Sequence, residues 1–249
     1  MQIDTKVIAH RGSKGTRPEN TLISFQTAID EGADGIETDV HFSKDHHFII
    51  IHDETVDRTT NGTGRVYDKN LKEIKHLDAG SKFSPEFKGT QIPTLEEVID
   101  LLKKNDFQGI LNLELKTNKI QYPGIEKAVY EYFKKAYPYP FQLIYSSFNS
   151  ESLKILNSID PQAVKARLFS TAAKEARQLK KDHMIRDFHP DIKWVEKHPH
   201  FAPAEIMRPW TVNTTEDMQF CFEHNMAALI TDFPGMAIKL RDQMRRQVI

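Results

Sequence analysis

Cysteine is almost absent: among 249 residues only Cys221 carries a thiol. A single thiol forms no internal disulfide and supplies no cysteine cluster for zinc, so Cys221 reads as a small core residue. No run of ~18 apolar residues offers a transmembrane helix, and a strand-like run starts within a few residues of Met1, with no leader before it. The expectation is a cytoplasmic protein without stable membrane insertion. An excess of one charge is also missing. The 34 Lys and Arg against 35 Asp and Glu leave a formal net charge of -1, which gives no global pull toward nucleic acid or anionic membranes. Any anion site has to be local. Internal repeats and low-complexity segments are lacking too, and the length suits one α/β domain of the (β/α)₈ TIM-barrel size, ~250 residues.

What the chain does hold is chemistry at the ends of short strand-like runs. Lys6-Val7-Ile8-Ala9 gives way to His10-Arg11-Gly12, placing a base and a permanent cation where a strand becomes a loop, with Gly12 permitting the turn. In Gly35-Ile36-Glu37-Thr38-Asp39-Val40 the carboxylates are two residues apart, and because strand side chains alternate, both project from one face. A third run, Phe48 to Ile51, ends in His52-Asp53, and Asp45-His46 before it suits a tight hairpin. Farther on, Asn112, Glu114 and Lys116 share one strand face. Each feature alone is compatible with an ordinary surface or hydrogen-bonded residue. Their convergence is what counts, because parallel barrels gather strand C-termini at one mouth, where such enzymes carry their sites.

The rest of the chain alternates strands and helices. Leu22, Phe25, Ala28 and Ile29 form a helical stripe with Asn20 as the expected N-cap. Thr94 and Glu97 have capping-box spacing before the stripe Leu95, Val98, Ile99 and Leu102. Further strands are expected at 109–116, 141–147, 163–169, 185–188, 206–212 and 228–231, with helices at 124–136, 150–158, 171–181, after Thr214 and at 235–245. Residues 54–91 hold turn signals but no convincing long helix, and read as an inserted subdomain after the His52 strand. The sixth unit has room for only a short helix. His183, His189, His198 and His200 lie around it without metal-like spacing and are expected at the surface.

His10-Arg11-Gly12, Arg17-Pro18-Glu19-Asn20-Thr21, Glu37-Thr38-Asp39-Val40 and the run His52 to Gly64 resemble the glycerophosphodiester phosphodiesterases. The likeness continues through Leu77-Asp78-Ala79-Gly80, Ile92-Pro93-Thr94-Leu95, Glu114-Leu115-Lys116, Ser147-Phe148, Trp210-Thr211-Val212-Asn213 and Thr231-Asp232-Phe233-Pro234. It covers nearly the whole chain. The resemblance implies a barrel enzyme that hydrolyses small glycerophosphodiesters to glycerol 3-phosphate and an alcohol. It implies Glu37, Asp39 and Glu114 as ligands of one divalent cation, and Glu19 and Asn20 as support for the site. All-oxygen ligation points to Mg²⁺ or Ca²⁺. His10 and His52 are expected to share general acid and base roles, Arg11 and Lys116 to hold phosphate oxygens, and Trp210 to pack against the glycerol carbons or the core. Water-soluble deacylated diesters are the expected substrates, with little discrimination among choline, ethanolamine and glycerol leaving groups. The alternatives are a lysophospholipase D-like activity on acylated substrates and a non-catalytic phosphate-binding barrel.

Overall fold

A computed structural model describes residues 3–171, 173–200 and 206–247. The chain begins β1 (Lys6–His10), α1 (Leu22–Asp30), β2 (Gly35–Phe42) and β3 (Phe48–Ile50), then crosses the inserted segment with its short helix α2 (Leu71–Ile74) between 3-10 turns at Val66–Asp68 and Pro85–Phe87. Alternation resumes with α3 (Leu95–Lys104), β4 (Ile110–Leu115), α4 (Ile125–Ala136), β5 (Gln142–Ser147), α5 (Ser150–Ile159), β6 (Val164–Phe169) and α6 (Ala173–Lys181). It ends with β7 (Asp187–Pro190), α7 (Ile192–Lys197), α8 (Thr215–Glu223), β8 (Ala228–Thr231) and α9 (Pro234–Gln247).

The strands lie side by side in the order β7-β6-β5-β4-β2-β1-β8, all parallel, while β3 folds back antiparallel on β2. Parallel strands buried on both faces need apolar residues outward and a packed interior. Ile8, Ile110, Ile144, Ala166, Ala228 and Ile230 fill the inside, and two larger apolar clusters seal the sheet to its helices. The hairpin turns at His46, whose φ is 61°. The capping box forms as expected: Thr94 Oγ1 accepts from Glu97 N, and Glu97 returns a carboxylate to Thr94 N at 2.8 Å. In the 54–91 segment, Val56, Val66, Ile74 and Ala79 pack on Ile49 and Ile51, which anchors the segment beside the strand that ends in His52.

The barrel closes irregularly. The expected strand at 206–212 is reduced to isolated bridges, Met207 to Phe188 and Trp210 to Asp191. Arg208 N and Trp210 N still donate to Phe188 O and Pro190 O at 3.0 Å, and Val212 N donates to Ile230 O at 2.8 Å. The ladder to β7 is interrupted at Pro190, which has no N–H to give between the bonds made by Phe188 N and Ile192 N. The strand expected at 185–188 runs instead from Asp187 to Pro190. That shift has a consequence for His189, which lies on the same inward face as Asp187 and is fully buried rather than at the surface. His183, His198 and His200 are exposed as expected.

Candidate active site

The first turn after β1 sets the site. Arg11 adopts a left-handed backbone with φ 54°, and Gly12 follows at φ 80°. A side chain at Gly12 would meet the Ser24 backbone carbon at 2.6 Å. The turn is held by two bonds from Arg11 N, to Glu37 O at 2.9 Å and to Glu37 Oε2 at 3.1 Å. A left-handed non-glycine residue costs ~1–2 kcal/mol, which the contacts of the guanidinium offset: Arg11 reaches Glu19 at 2.9 Å and Asp39 at 3.4 Å.

Two histidines are oriented by carboxylates. His10 Nδ1 donates to Asp232 Oδ1 at 2.6 Å, and His52 Nδ1 donates to Asp53 Oδ1 at 2.6 Å. Both Nε2 atoms are thereby left for chemistry. Asp232 is itself held by Asn213 at 2.9 Å and lies 3.3 Å from Lys14. Asp53 is held by Arg58, whose guanidinium also grips Glu19, so one cation ties the His52 side of the mouth to the Arg11 side. Burial lowers the pKa of His10 to about 4, with Asp232 opposing and Arg11 adding to the fall. Half-buried His52 is lowered as well, again chiefly by burial, with the negative charge of Asp39 working against it.

Glu37, Asp39 and Glu114 project from neighbouring strands; Asp39 is in direct register with Glu114. All three are buried, and one oxygen from each lies within 4.8 Å of the others. Burial and the charges of Asp39 and Glu114 push Glu37 well above the usual carboxylate range. Burial also raises Glu114 to about 7, although Lys116 at 2.8 Å pulls it back. Asp39 goes the other way: burial would raise it, but Lys116 and Arg11 outweigh burial and hold it low. Asp39 Oδ1 is buried without a hydrogen-bond partner. Three crowded carboxylates, one with an orphaned oxygen, are the donor set a hard divalent cation satisfies.

Six of the residues expected at the site from sequence, His10, Arg11, Glu37, His52, Glu114 and Trp210, line one small space of about 50 Å³, while Asp39 and Lys116 lie behind its wall. Asn112, Phe148, Leu168 and Ile230 complete it. Trp210 lines this space, and its Nε1 donates to His189 O at 2.8 Å while its ring meets Phe148 edge-on at 5.5 Å. Lys116 is buried in the acid cluster. Asn20 does not cap α1. That task falls to Thr21, which accepts from Ser24 N at 3.3 Å. Asn20 instead donates to Asp39 at 2.8 Å and accepts from Thr38, so it positions a candidate ligand. His41, on the same strand face as Asp39, bonds Tyr122 and the His52 carbonyl and braces the His52 strand from behind. A larger cleft of about 410 Å³, walled by Tyr130, Tyr137, Tyr139 and Tyr145, contains no histidine and no acid cluster.

The roles of Asp53 and Asp232 as orienting partners were not read from the sequence. Adjacency to His52 was the signal for Asp53; Asp232 gave only its place at the end of the last strand.

Acid-backed imidazoles, fixed cations and a buried carboxylate cluster thus lie together at the C-terminal mouth of a parallel barrel, the end at which such folds carry their active sites. The sequence matches the glycerophosphoryl diester phosphodiesterase family over residues 10–236, and the chain belongs to that family. A glycerophosphodiester phosphodiesterase of Caldanaerobacter subterraneus is 39% identical over 244 residues, covering 95% of this chain and 97% of that protein. One from Bacillus altitudinis is 36% identical and is covered in full. A phosphodiesterase of Oleispira antarctica, solved in complex with the product sn-glycerol-3-phosphate, superposes with a TM-score of 0.82 at 31% identity, covering 95% of this chain and 96% of that one. Among the described residues no helix is long and apolar enough to cross a membrane.

Proposed function

We propose that this enzyme hydrolyses glycerophosphodiesters to sn-glycerol 3-phosphate and an alcohol, with one Mg²⁺ or Ca²⁺ held by Glu37, Asp39 and Glu114 and with His10 and His52 moving the protons. The observation that carries this reading is the pair of histidines, each fixed through Nδ1 to a carboxylate and both lining the cavity of the carboxylate cluster. The likeness to a relative solved with glycerol 3-phosphate supports the substrate class. The reading takes the chain as one catalytic domain, with 54–91 forming part of its mouth.

Arg11 and Lys116 hold phosphate oxygens and, with the bound ion, leave the site net positive, so it complements the dianionic transition state better than the monoanionic substrate. The ion supplies charge neutralisation at a phosphate oxygen. His10, the more deeply buried and lowered to about 4, enters neutral and accepts the proton of the attacking oxygen. His52 is less deeply buried, its pKa lowered chiefly by burial with the charge of Asp39 working against the fall; it takes the complementary role and delivers a proton to the leaving alkoxide. Trp210 and Phe148 flank the glycerol carbons.

Purified protein with glycerophosphocholine, glycerophosphoethanolamine and lysophosphatidylcholine tests the substrate class. Glycerol 3-phosphate release from the two deacylated diesters, at kcat/KM values within about 200-fold of each other, is expected, because a looser leaving-group contact discriminates by only ~1–3 kcal/mol. A clear advantage for the acylated compound would shift the assignment to a lysophospholipase D activity.

The carboxylate pKa values make cation binding pH-dependent. Without a cation, Glu37 and Glu114 keep protons above the ordinary carboxylate range, and binding has to expel them. Affinity for Mg²⁺ or Ca²⁺ therefore increases as pH rises toward and through about 7, where Glu114 gives up its proton. Calorimetry in buffers of different ionisation enthalpy reads the released protons directly. Unchanged affinity across that window, with no proton release, would remove these residues from the ligand set.

A further inference from the structure

Asn112 is 1% exposed, lines the catalytic cavity, and has no partner for either Nδ2 or Oδ1. An unpaired buried polar group costs ~1–3 kcal/mol, and an amide has two donors and an acceptor oxygen to satisfy. Nothing in the fold rewards this side chain. It sits on β4 in register with Glu37 and two residues before Glu114, so its neighbours are the acids that suit a cation. Its chemistry differs from theirs. A phosphate oxygen needs only donors, which Arg11 and Lys116 provide; a hydroxyl needs a donor and an acceptor together, and a neutral amide is the one group in the cavity wall that offers both without titrating. The remaining lining residues, Phe148, Leu168, Trp210 and Ile230, are largely carbon. The enclosed space of about 50 Å³ has room for a few water-sized groups, which fits a hydroxyl and the carbon that bears it.

We infer that Asn112 is a specificity-determining residue that hydrogen-bonds a hydroxyl of the substrate's glycerol moiety, making the enzyme select glycerol phosphates over phosphates of simple alcohols. The inference rests on the proposed function and deepens it. In the ligand-free protein, water takes the place of the hydroxyl.

Equilibrium binding of the product isolates recognition from turnover. With the divalent ion saturating, calorimetry compares glycerol 3-phosphate with its two singly deoxygenated analogues, 3-hydroxypropyl phosphate and 2-hydroxypropyl phosphate. The wild-type enzyme is expected to bind glycerol 3-phosphate ~10- to 100-fold more tightly than at least one analogue, the span that one unsatisfied polar group produces. Asn112→Leu keeps the side-chain size and loses both polar atoms; it is expected to bind that pair alike and to melt no lower than wild type. Asn112→Ala is expected to lose the same discrimination should the leucine variant fold poorly. Retained discrimination in either folded variant overturns the inference. So does weakened Mg²⁺ or Ca²⁺ affinity with discrimination intact, since Oδ1 would then be a cation ligand. Failure of the wild-type enzyme to hydrolyse glycerophosphocholine would instead bring down the proposed function itself, and the inference with it.

Discussion

His10→Ala and His52→Ala are each expected to lower kcat by ~10²- to 10⁴-fold, the range that a positioned acid or base contributes, while leaving the fold intact. The two losses should differ in kind. Protonation of the leaving oxygen matters for an aliphatic alkoxide but little for a nitrophenolate, which departs without a proton. A p-nitrophenyl diester of glycerol phosphate should therefore restore most of the activity of His52→Ala and little of that of His10→Ala. The reverse pattern would exchange the two roles, and near-normal turnover of either alanine variant with glycerophosphocholine would remove that histidine from the chemistry. The orienting acids extend the test. Asp232 and Asp53 are both held far below the usual carboxylate range, despite the upward push of burial, by His10 and Asn213 in one case and by Arg58 and His52 in the other. Each therefore stays ionised at working pH and fixes the Nδ1–H tautomer that frees Nε2.

Stripping divalent cations with EDTA is expected to abolish activity, and Mg²⁺ or Ca²⁺ to restore it. Glu37→Gln, Asp39→Asn and Glu114→Gln should each cost at least ~10²-fold in kcat/KM, since the ion's charge is worth several kcal/mol in the transition state. Stability should move in the opposite direction for Glu37. Its raised pKa records burial and repulsion by Asp39 and Glu114, so neutralising it relieves the metal-free protein at pH above the ordinary carboxylate range. The sign follows from linkage: a carboxyl whose folded pKa is raised stabilises the fold less as pH climbs from its unfolded value toward its folded one. Glu37→Gln should thus melt higher than wild type without cation and gain less when cation is added. Asp39→Asn should not melt higher, because Asp39 is held low by Lys116 and Arg11 and its charge is paired. Full activity of a sample verified as metal-free by elemental analysis would refute the cation's role.

Much of the architecture was legible because local rules dictate it. The i, i+2 spacing of Glu37 and Asp39 determines that they share a face whatever else the chain does, and the apolar stripe with the Thr94 and Glu97 box sets where α3 begins. Strand ends carrying His10, Arg11 and His52 announced a mouth. Irregularities escaped where the local signal was ambiguous. The apolar Ile185 lies before β7 rather than in it, so His189 was expected at the surface and is buried inside. The strand-like run at 206–212 gave no sign that it would be set against Pro190, whose missing N–H interrupts the ladder. Asn20 had the composition of a cap, but its amide is taken by Asp39 and Thr38, which no local rule could foresee.

By itself the sequence determined the order of strands and helices, the residue types available for catalysis and the faces they occupy, since these depend on neighbours within a few positions along the chain. Tertiary structure alone decided what each group does in its place. Asp232 meets His10 across 222 positions of sequence, and Arg58 meets Glu19 across 39. Three carboxylates of similar ordinary acidity are driven apart, Glu37 and Glu114 upward by burial, and Asp39 downward because Lys116 and Arg11 both lie beside it and together outweigh burial. Electrostatic free energy depends on distance in space and on exclusion of water, and barrel closure is what brings those charges together and shuts the water out.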